Sequence, residues 1–233
     1  VLGGGPGGLS AAYYLQLMGH QATVYEMLPK LGGMLRYGIP NYRLPKERLD
    51  DDINAILKTG VDVKYGLKIG QDISIQDLRD QYDAVLITIG ASTDKKLGLE
   101  GEDADGILSA VQFLRNVGKQ EIMDLTGKQV AVIGGGNVSM DAVRTAKRLG
   151  AEKVSIVYRR RVADMTALPD EIEGAVAEGI ELQTLKAPAS LDVDENHHIR
   201  GIYVTPQMVS AIKNGRASIR PTGEEDITYL AMY

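Results

Sequence analysis

Apolar and polar positions alternate in a repeating order along the chain. Val1-Leu2 leads into the cluster Gly3-Gly4-Gly5-Pro6-Gly7-Gly8, and a helical pattern runs from about Gly8 to Met18, followed by Gly19. Glycine just past a helix end suits the left-handed C-cap position. A β-rich run, Ala22-Thr23-Val24-Tyr25-Glu26, comes next. The same order returns later. Val130-Ala131-Val132-Ile133 leads into Gly134-Gly135-Gly136-Asn137-Val138-Ser139, then a helical pattern to Leu149, Gly150, and the run Lys153–Tyr158. Strand, glycine turn, helix and strand over ~30 residues form a βαβ unit. Its repetition is the main feature of the sequence.

Between the two units lie an apolar run, Asp83–Gly90, predicted as a strand, and an acidic connection, Leu99–Gly106. The domain boundary is placed in that connection, which gives domains of residues 1–103 and 104–233. A helix near Ser109–Val117 leads into the second unit. Beyond it the pattern predicts a helix over Asp170–Glu178, with Pro169 near its start, and strands near Ile180–Leu185, Ile199–Pro206 and Ala217–Arg220. The expected fold class is α/β, with two Rossmann-like dinucleotide-binding domains. Only Val1 and Leu2 precede the first glycine turn, whereas a strand usually has ~5 residues. The chain is therefore expected to be a fragment.

Composition narrows the function classes. The 233 residues are 44% hydrophobic and 24% charged, with a net charge of −5. That balance fits a globular protein and offers no basic block for nucleic acid. No apolar run reaches the ~18 residues of a membrane span, and no signal peptide is visible, so a cytoplasmic location is expected. Cysteine is absent. These residues alone therefore hold no disulfide, redox CxxC pair or cysteine-ligated iron–sulfur cluster.

The glycine clusters carry the chemistry. Gly3, Gly5 and Gly8 spell G-x-G-x-x-G. The first glycine permits the tight turn, the second lets a pyrophosphate reach the backbone, and the third lets helix and strand pack closely. The helix N-terminus adds free N–H groups and the positive end of its dipole. Glu26 lies eighteen residues beyond Gly8, at the end of the second strand, where an acid accepts hydrogen bonds from a ribose. In the second unit Gly134 and Gly136 repeat the first two glycines, and Ser139 stands in the third place. Here the strand ends in Tyr158-Arg159-Arg160-Arg161 instead of an acid. Guanidinium groups bind phosphate with paired donors, so Arg159 and Arg160 are expected to favour the 2′-phosphate of NADP(H) over NAD(H).

Three stretches carry a family resemblance: Leu31–Lys46 (LGGMLRYGIPNYRLPK), Gly134–Asp141 (GGGNVSMD) and Tyr158-Arg159-Arg160. With them the chain resembles the small subunit of NADPH-dependent glutamate synthase and its relatives. Those include the flavin portion of dihydropyrimidine dehydrogenase and related ferredoxin–NADP oxidoreductases. The resemblance implies the two-dinucleotide-binding flavoprotein fold, with FAD on residues 1–103 and NAD(P)H on residues 104–233. It implies hydride transfer from NADPH, with NADH left open, to FAD, and onward transfer to iron–sulfur clusters outside this chain, in a missing domain or a partner subunit. The implied FAD contacts are Gly3, Gly5, Pro6, Gly8, Glu26, Gly33, Met34, Arg43, Ile69 and Gly90. The implied NADPH contacts are Gly134, Gly136, Asn137, Val138, Ser139, Arg159, Arg160 and Thr166. A cation at Arg43 would suit a pyrophosphate. The family's cluster-bearing N-terminal domain and its closing C-terminal segment are absent from these residues, so truncation at both ends is expected.

The stretch Met165-Thr166-Ala167-Leu168-Pro169 departs from the family's commoner form and is closer to relatives in anaerobic redox complexes. A flavin subunit of a ferredoxin- or hydrogenase-linked NAD(P)H oxidoreductase is thus a second reading. A non-catalytic nucleotide-binding module is a third. No catalytic residue is assigned, because hydride transfer between cofactors needs no protein acid or base. No metal site is expected. His197-His198 reads as a polar turn and Asp50-Asp51-Asp52 as a solvated helix face or N-terminal turn.

Overall fold

A computed structural model describes residues 1–91, 93–121, 123–223 and 228–231. The chain divides into two compact units, Val1–Ser92 and Thr93–Tyr233.

The first unit runs α1 (Pro6–Leu17), β1 (Thr23–Glu26), α2 (Met34–Tyr37), α3 (Lys46–Leu57), β2 (Asp62–Tyr65) and α4 (Ile75–Gln81). Strands β1 and β2 pair in parallel, with Thr23 opposite Asp62 and Glu26 opposite Tyr65. Leu9 and Ala12 of α1 pack with Val24 of β1 and with Leu49 and Ile53 of α3. Of helix α3 the sequence shows only Asp50-Asp51-Asp52, as a solvated helix face or N-terminal turn. Its apolar residues recur at i, i+4 and i+7 (Leu49, Ile53, Ile56), but Lys46–Asp52 is mostly charged. Helix α4 starts on a capping box, in which Ser74 and Asp77 satisfy each other's backbone N–H groups.

The expected strand Asp83–Gly90 does not form. Its residues touch the sheet through a single bridge, Ile87 to Leu2, and Leu2 in turn bridges Tyr25. Its two ladder bonds both go to Leu2: the Leu86 carbonyl accepts from Leu2 N–H at 2.8 Å, and Thr88 N–H donates to the Leu2 carbonyl at 2.9 Å. Leu86, Ile87 and Ile89 are left exposed.

The second unit begins with α5 (Ala110–Gly118), β3 (Gln129–Ile133), α6 (Asn137–Arg148), β4 (Lys153–Tyr158), α7 (Pro169–Ala177) and β5 (Glu181–Thr184). The three strands form a parallel sheet in the order β3-β4-β5. Met140, Val143 and Ala146 of α6 pack with Val154 and Ile156 of β4. An ionic clamp fixes α7 on α6. Arg144 pairs with Glu171 at 2.6 Å and with Glu178 at 2.8 Å, and Arg148 joins Glu178 at 2.7 Å. Gly174 makes room for it, since a Cβ there would lie 3.2 Å from the Arg144 Cζ.

An antiparallel sheet follows, made of β6 (Lys186–Val193), β7 (Ile199–Lys213), β8 (Arg216–Pro221) and β9 (Thr228–Ala231). β7 pairs with all three others. The acidic connector joins this unit: the Asp105 N–H donates to the His197 carbonyl and its carbonyl accepts from Ile199 N–H, both at 2.9 Å.

The close approach of α1 to the glycine turn before it yields a paired test. A Cβ on Gly8 would stand 1.9 Å from the Gly3 carbonyl oxygen, whereas one on Gly7 would meet nothing nearer than 4.0 Å. Gly8→Ala should therefore destabilise by ~1–3 kcal/mol or more through overpacking. Gly7→Ala, free of that clash, should be neutral or stabilise by up to ~1 kcal/mol through helix propensity. Urea melts of the two variants check the contrast.

Candidate functional site

The first glycine turn is built at contact distance. Gly3 has φ +102°, and a Cβ on it would meet the Thr88 carbonyl oxygen at 2.7 Å. The Thr88 hydroxyl donates to the Leu2 carbonyl at 2.9 Å. Helix α1 opens on Gly5 with no side-chain cap and Pro6 in its first turn. Its leading N–H groups are therefore available to an anion. Glu26 is buried. One carboxylate oxygen accepts from Gly4 N–H and the other from Leu28 N–H, each at 2.8 Å. The expected ribose acceptor thus also holds the glycine turn to the end of β1, and a ribose hydroxyl would have to use the remaining lone pairs.

A second loop closes on this turn. Gly32 N–H donates to the Gly4 carbonyl at 2.8 Å. Gly33, at φ +51°, lies so near that a Cβ would come within 2.7 Å of the Gly5 Cα. Gly3, Gly5, Pro6, Gly8, Glu26, Gly33 and the exposed Met34 are thereby gathered in one place. Three expected residues stand on other loops. Arg43, half-buried, is in the turn after α2, its N–H donating to the Pro40 carbonyl at 3.1 Å. Ile69 bridges Ile73 and packs with Leu2, Tyr25 and Leu78. Gly90 has φ +71° and open space around it.

Sequence reasoning missed the residues that shape the second loop. Arg36 is buried and donates to the Leu31 carbonyl and to Asp50. The Lys46 ammonium donates to the carbonyls of Leu35 at 2.9 Å and Ile39 at 2.6 Å. The cations of the Leu31–Lys46 block hold its own backbone. Asp50 is corrected accordingly: it is not merely a solvated acid, because it pairs with Arg36. Asp51 and Asp52 do face solvent.

The second turn is built alike. Gly134 has φ +143°, and a Cβ on it would meet the Ser139 Oγ at 2.5 Å, so buried Ser139 fills the third glycine's packing place. Helix α6 opens on Gly136, again without a side-chain cap. A loop folds over it: Thr166 and Ala167 donate their N–H groups to the Gly135 carbonyl at 2.9 and 3.0 Å. The Thr166 Oγ1 would stand 3.4 Å from a Cβ on Gly136. Asn137 is engaged with this loop, its Oδ1 accepting from Leu168 N–H at 2.9 Å. Val138 is exposed in the first turn of α6.

The three arginines after β4 have different surroundings. Arg159 is exposed, with no side-chain hydrogen bond or ion pair among the described residues. Arg160 is half-buried and donates to the Ala217 carbonyl at 3.1 Å. Arg161 grips Asp164 with two donors, at 2.8 and 3.0 Å. His197 and His198 lie in the turn between β6 and β7, opposite Asp103 and Asp105. Among the described residues no three His, Asp or Glu side chains are grouped to hold a metal, and no helix is long and apolar enough to cross a membrane.

The Arg161 guanidinium holds the Asp164 carboxyl well below the usual carboxylate range, and the Ala217 N–H adds to the effect. A depressed folded-state pKa gives stability that is complete above the unfolded value of about 3.9 and fades as pH falls below it. Acid should therefore destabilise the second unit from about pH 4 downward, and Asp164→Asn should flatten that slope. Urea melts across that range, followed by hydrogen exchange in the second unit, measure it.

Compared with known proteins, residues 1–208 match the pyridine nucleotide-disulphide oxidoreductase family. The chain is 43% identical over 204 residues to the NADP(+)-dependent formate dehydrogenase subunit beta of Moorella thermoacetica, covering 87% of this chain and 29% of that protein. It is 34% identical over 212 residues to the glutamate synthase [NADPH] small chain of Escherichia coli, covering 87% of this chain and 45% of that one. The chain therefore spans less than half the length of these relatives. Its fold matches that of FprA from Mycobacterium tuberculosis, solved in complex with NADPH, with a TM-score of 0.79 at 19% identity over 99% of this chain and 67% of that one. With a match over residues 1–208, the chain belongs to the pyridine nucleotide-disulphide oxidoreductase family.

Proposed function

We propose that the chain is the nucleotide-binding module of an NADPH-dependent flavoprotein, with FAD on the first unit and NADPH on the second. The observation that carries this reading is the contrast between two similar turns. Each is a glycine turn opening an uncapped helix. One is followed by a strand ending in Glu26, the other by a strand with Arg159 and Arg160 directly after its end. An acid suits an unsubstituted ribose and arginines suit a 2′-phosphate.

The residues fit both nucleotides. Gly5 and Gly33 pack backbone to backbone beside the start of α1, where a Cβ on Gly33 would collide with Gly5. The first turns of α1 and α6 offer N–H groups to a pyrophosphate. Thr166, beside Gly136, would border the second pyrophosphate site. When bound, the two cofactors would supply the redox chemistry of hydride transfer and one-electron release. The protein's part is to bind and orient them and to exclude water. The absence of cysteine means that none of these residues forms the disulfide in the family's name.

The electrons would pass to an iron–sulfur-bearing partner subunit or domain, in a cytoplasmic assembly. Glutamate synthase is one such setting. A second reading is an anaerobic redox complex, favoured by the higher identity to the formate dehydrogenase subunit, 43% against 34%.

An anaerobic visible spectrum of the FAD-loaded protein tests the proposal. Stoichiometric NADPH should bleach the flavin band, and NADH should do so less readily. Flavin that stays oxidised with both donors would leave a binding module without hydride transfer. In Arg159→Ala/Arg160→Ala the preference for NADPH over NADH should fall by ~10-fold or more, the scale of lost charge-assisted hydrogen bonds.

A further inference from the structure

Asp164 stands at the centre of a clasp that the reading above does not use. Its side chain is wholly buried. One carboxylate oxygen accepts from the Arg161 Nη2 at 3.0 Å and from the Ala217 N–H at 2.8 Å. The other accepts from the Arg161 Nε at 2.8 Å and from the Arg161 N–H at 3.3 Å. The Asp164 carbonyl accepts from the Tyr158 hydroxyl at 2.8 Å.

Ala217, on β8, is held from both sides. Its N–H goes to Asp164 and its carbonyl accepts from Arg160. The segment Tyr158–Asp164 is thereby stitched to a strand more than fifty residues away in sequence. Two consequences follow for the arginines. Arg161 is neutralised and spent, so it is not offered to a ligand. Arg160 is aimed by the β8 backbone, with Arg159 beside it in solvent. The loop that begins at Asp164 continues directly to Thr166, which lies over Gly136.

We propose that Asp164 is a positioning residue for the adenosine 2′-phosphate: by fixing Arg161 and Ala217 it sets the placement of Arg160 and of the backbone that carries Arg159. The inference rests on the NADPH reading of the second unit. A cation held in place before the ligand arrives loses less freedom on binding than a mobile one. Releasing the clasp should therefore cost affinity for the 2′-phosphate and leave the rest of the nucleotide's binding alone.

The test is calorimetric titration of the full chain with 2′,5′-ADP and with 5′-AMP, the ratio of the two affinities reporting on the 2′-phosphate alone. Asp164→Asn should lower that ratio about tenfold, the order of one charge-assisted hydrogen bond, with 5′-AMP affinity held within about twofold. Asp164→Glu, which keeps the carboxylate, should recover most of the ratio. A folded Asp164→Asn protein with an unchanged or raised ratio overturns the proposal. Should that variant fail to fold, Arg161→Gln must lower the ratio in the same direction, and a constant ratio there overturns it equally. Wild-type protein that shows no preference for 2′,5′-ADP sinks the NADPH reading itself, whereas a wild-type preference that survives in Asp164→Asn sinks only the role of Asp164.

Discussion

The first unit depends on one contact without a side chain: the approach of α1 to the glycine turn before it, where the Gly3 carbonyl occupies the space a Gly8 Cβ would need. That closeness brings the uncapped start of α1 down onto the glycine turn. The second loop then closes over it, with Gly33 against Gly5 and Gly32 bonded to Gly4. Any side chain at these positions would prise apart the backbone that a pyrophosphate needs to approach. Around this core the polar groups serve geometry first. Glu26 ties Gly4 to Leu28, and Arg36 and Lys46 bind carbonyls of their own loop.

The second unit solves the same problem with a small change. Ser139 packs where the third glycine stood, its hydroxyl in the space of an absent Gly134 Cβ. What differs is the shell. The loop through Thr166 and Leu168 folds over the turn by bonds to Gly135 and Asn137, and the arginine run is pinned to β8. The first unit thus presents a buried acid at its strand end and the second a buried acid one turn later, behind a row of cations. The proposed assignment of two different nucleotides rests on the charge each strand end presents, an acid in one unit and cations in the other.

Much of this was legible in the sequence because glycine spacing and strand-end charge are local signals. The βαβ repeat, α1, α6, β4 and α7 follow from periodicity and stop residues. Other elements were hidden for identifiable reasons. Helix α3 buries Leu49 and Ile53 under a mostly charged surface, so its acids read as solvent-facing although Asp50 meets Arg36. β7 extends past Pro206, where a break was expected, because Gln207 N–H finds the Leu185 carbonyl at 2.7 Å and the strand then changes partner to β8. Asp83–Gly90 has the composition of a strand but meets the sheet at the single bridge from Ile87 to Leu2. The Asp164 clasp joins residues distant in sequence, and no local pattern announces it.

The central claim is that one chain carries two separate dinucleotide sites of different selectivity. An equilibrium titration that counts FAD and NADP⁺ bound to the same sample tests it most directly. The account expects one of each per chain, with NADP⁺ binding unhindered when FAD is already in place. Displacement of FAD by NADP⁺, or a total of one nucleotide per chain, would contradict it.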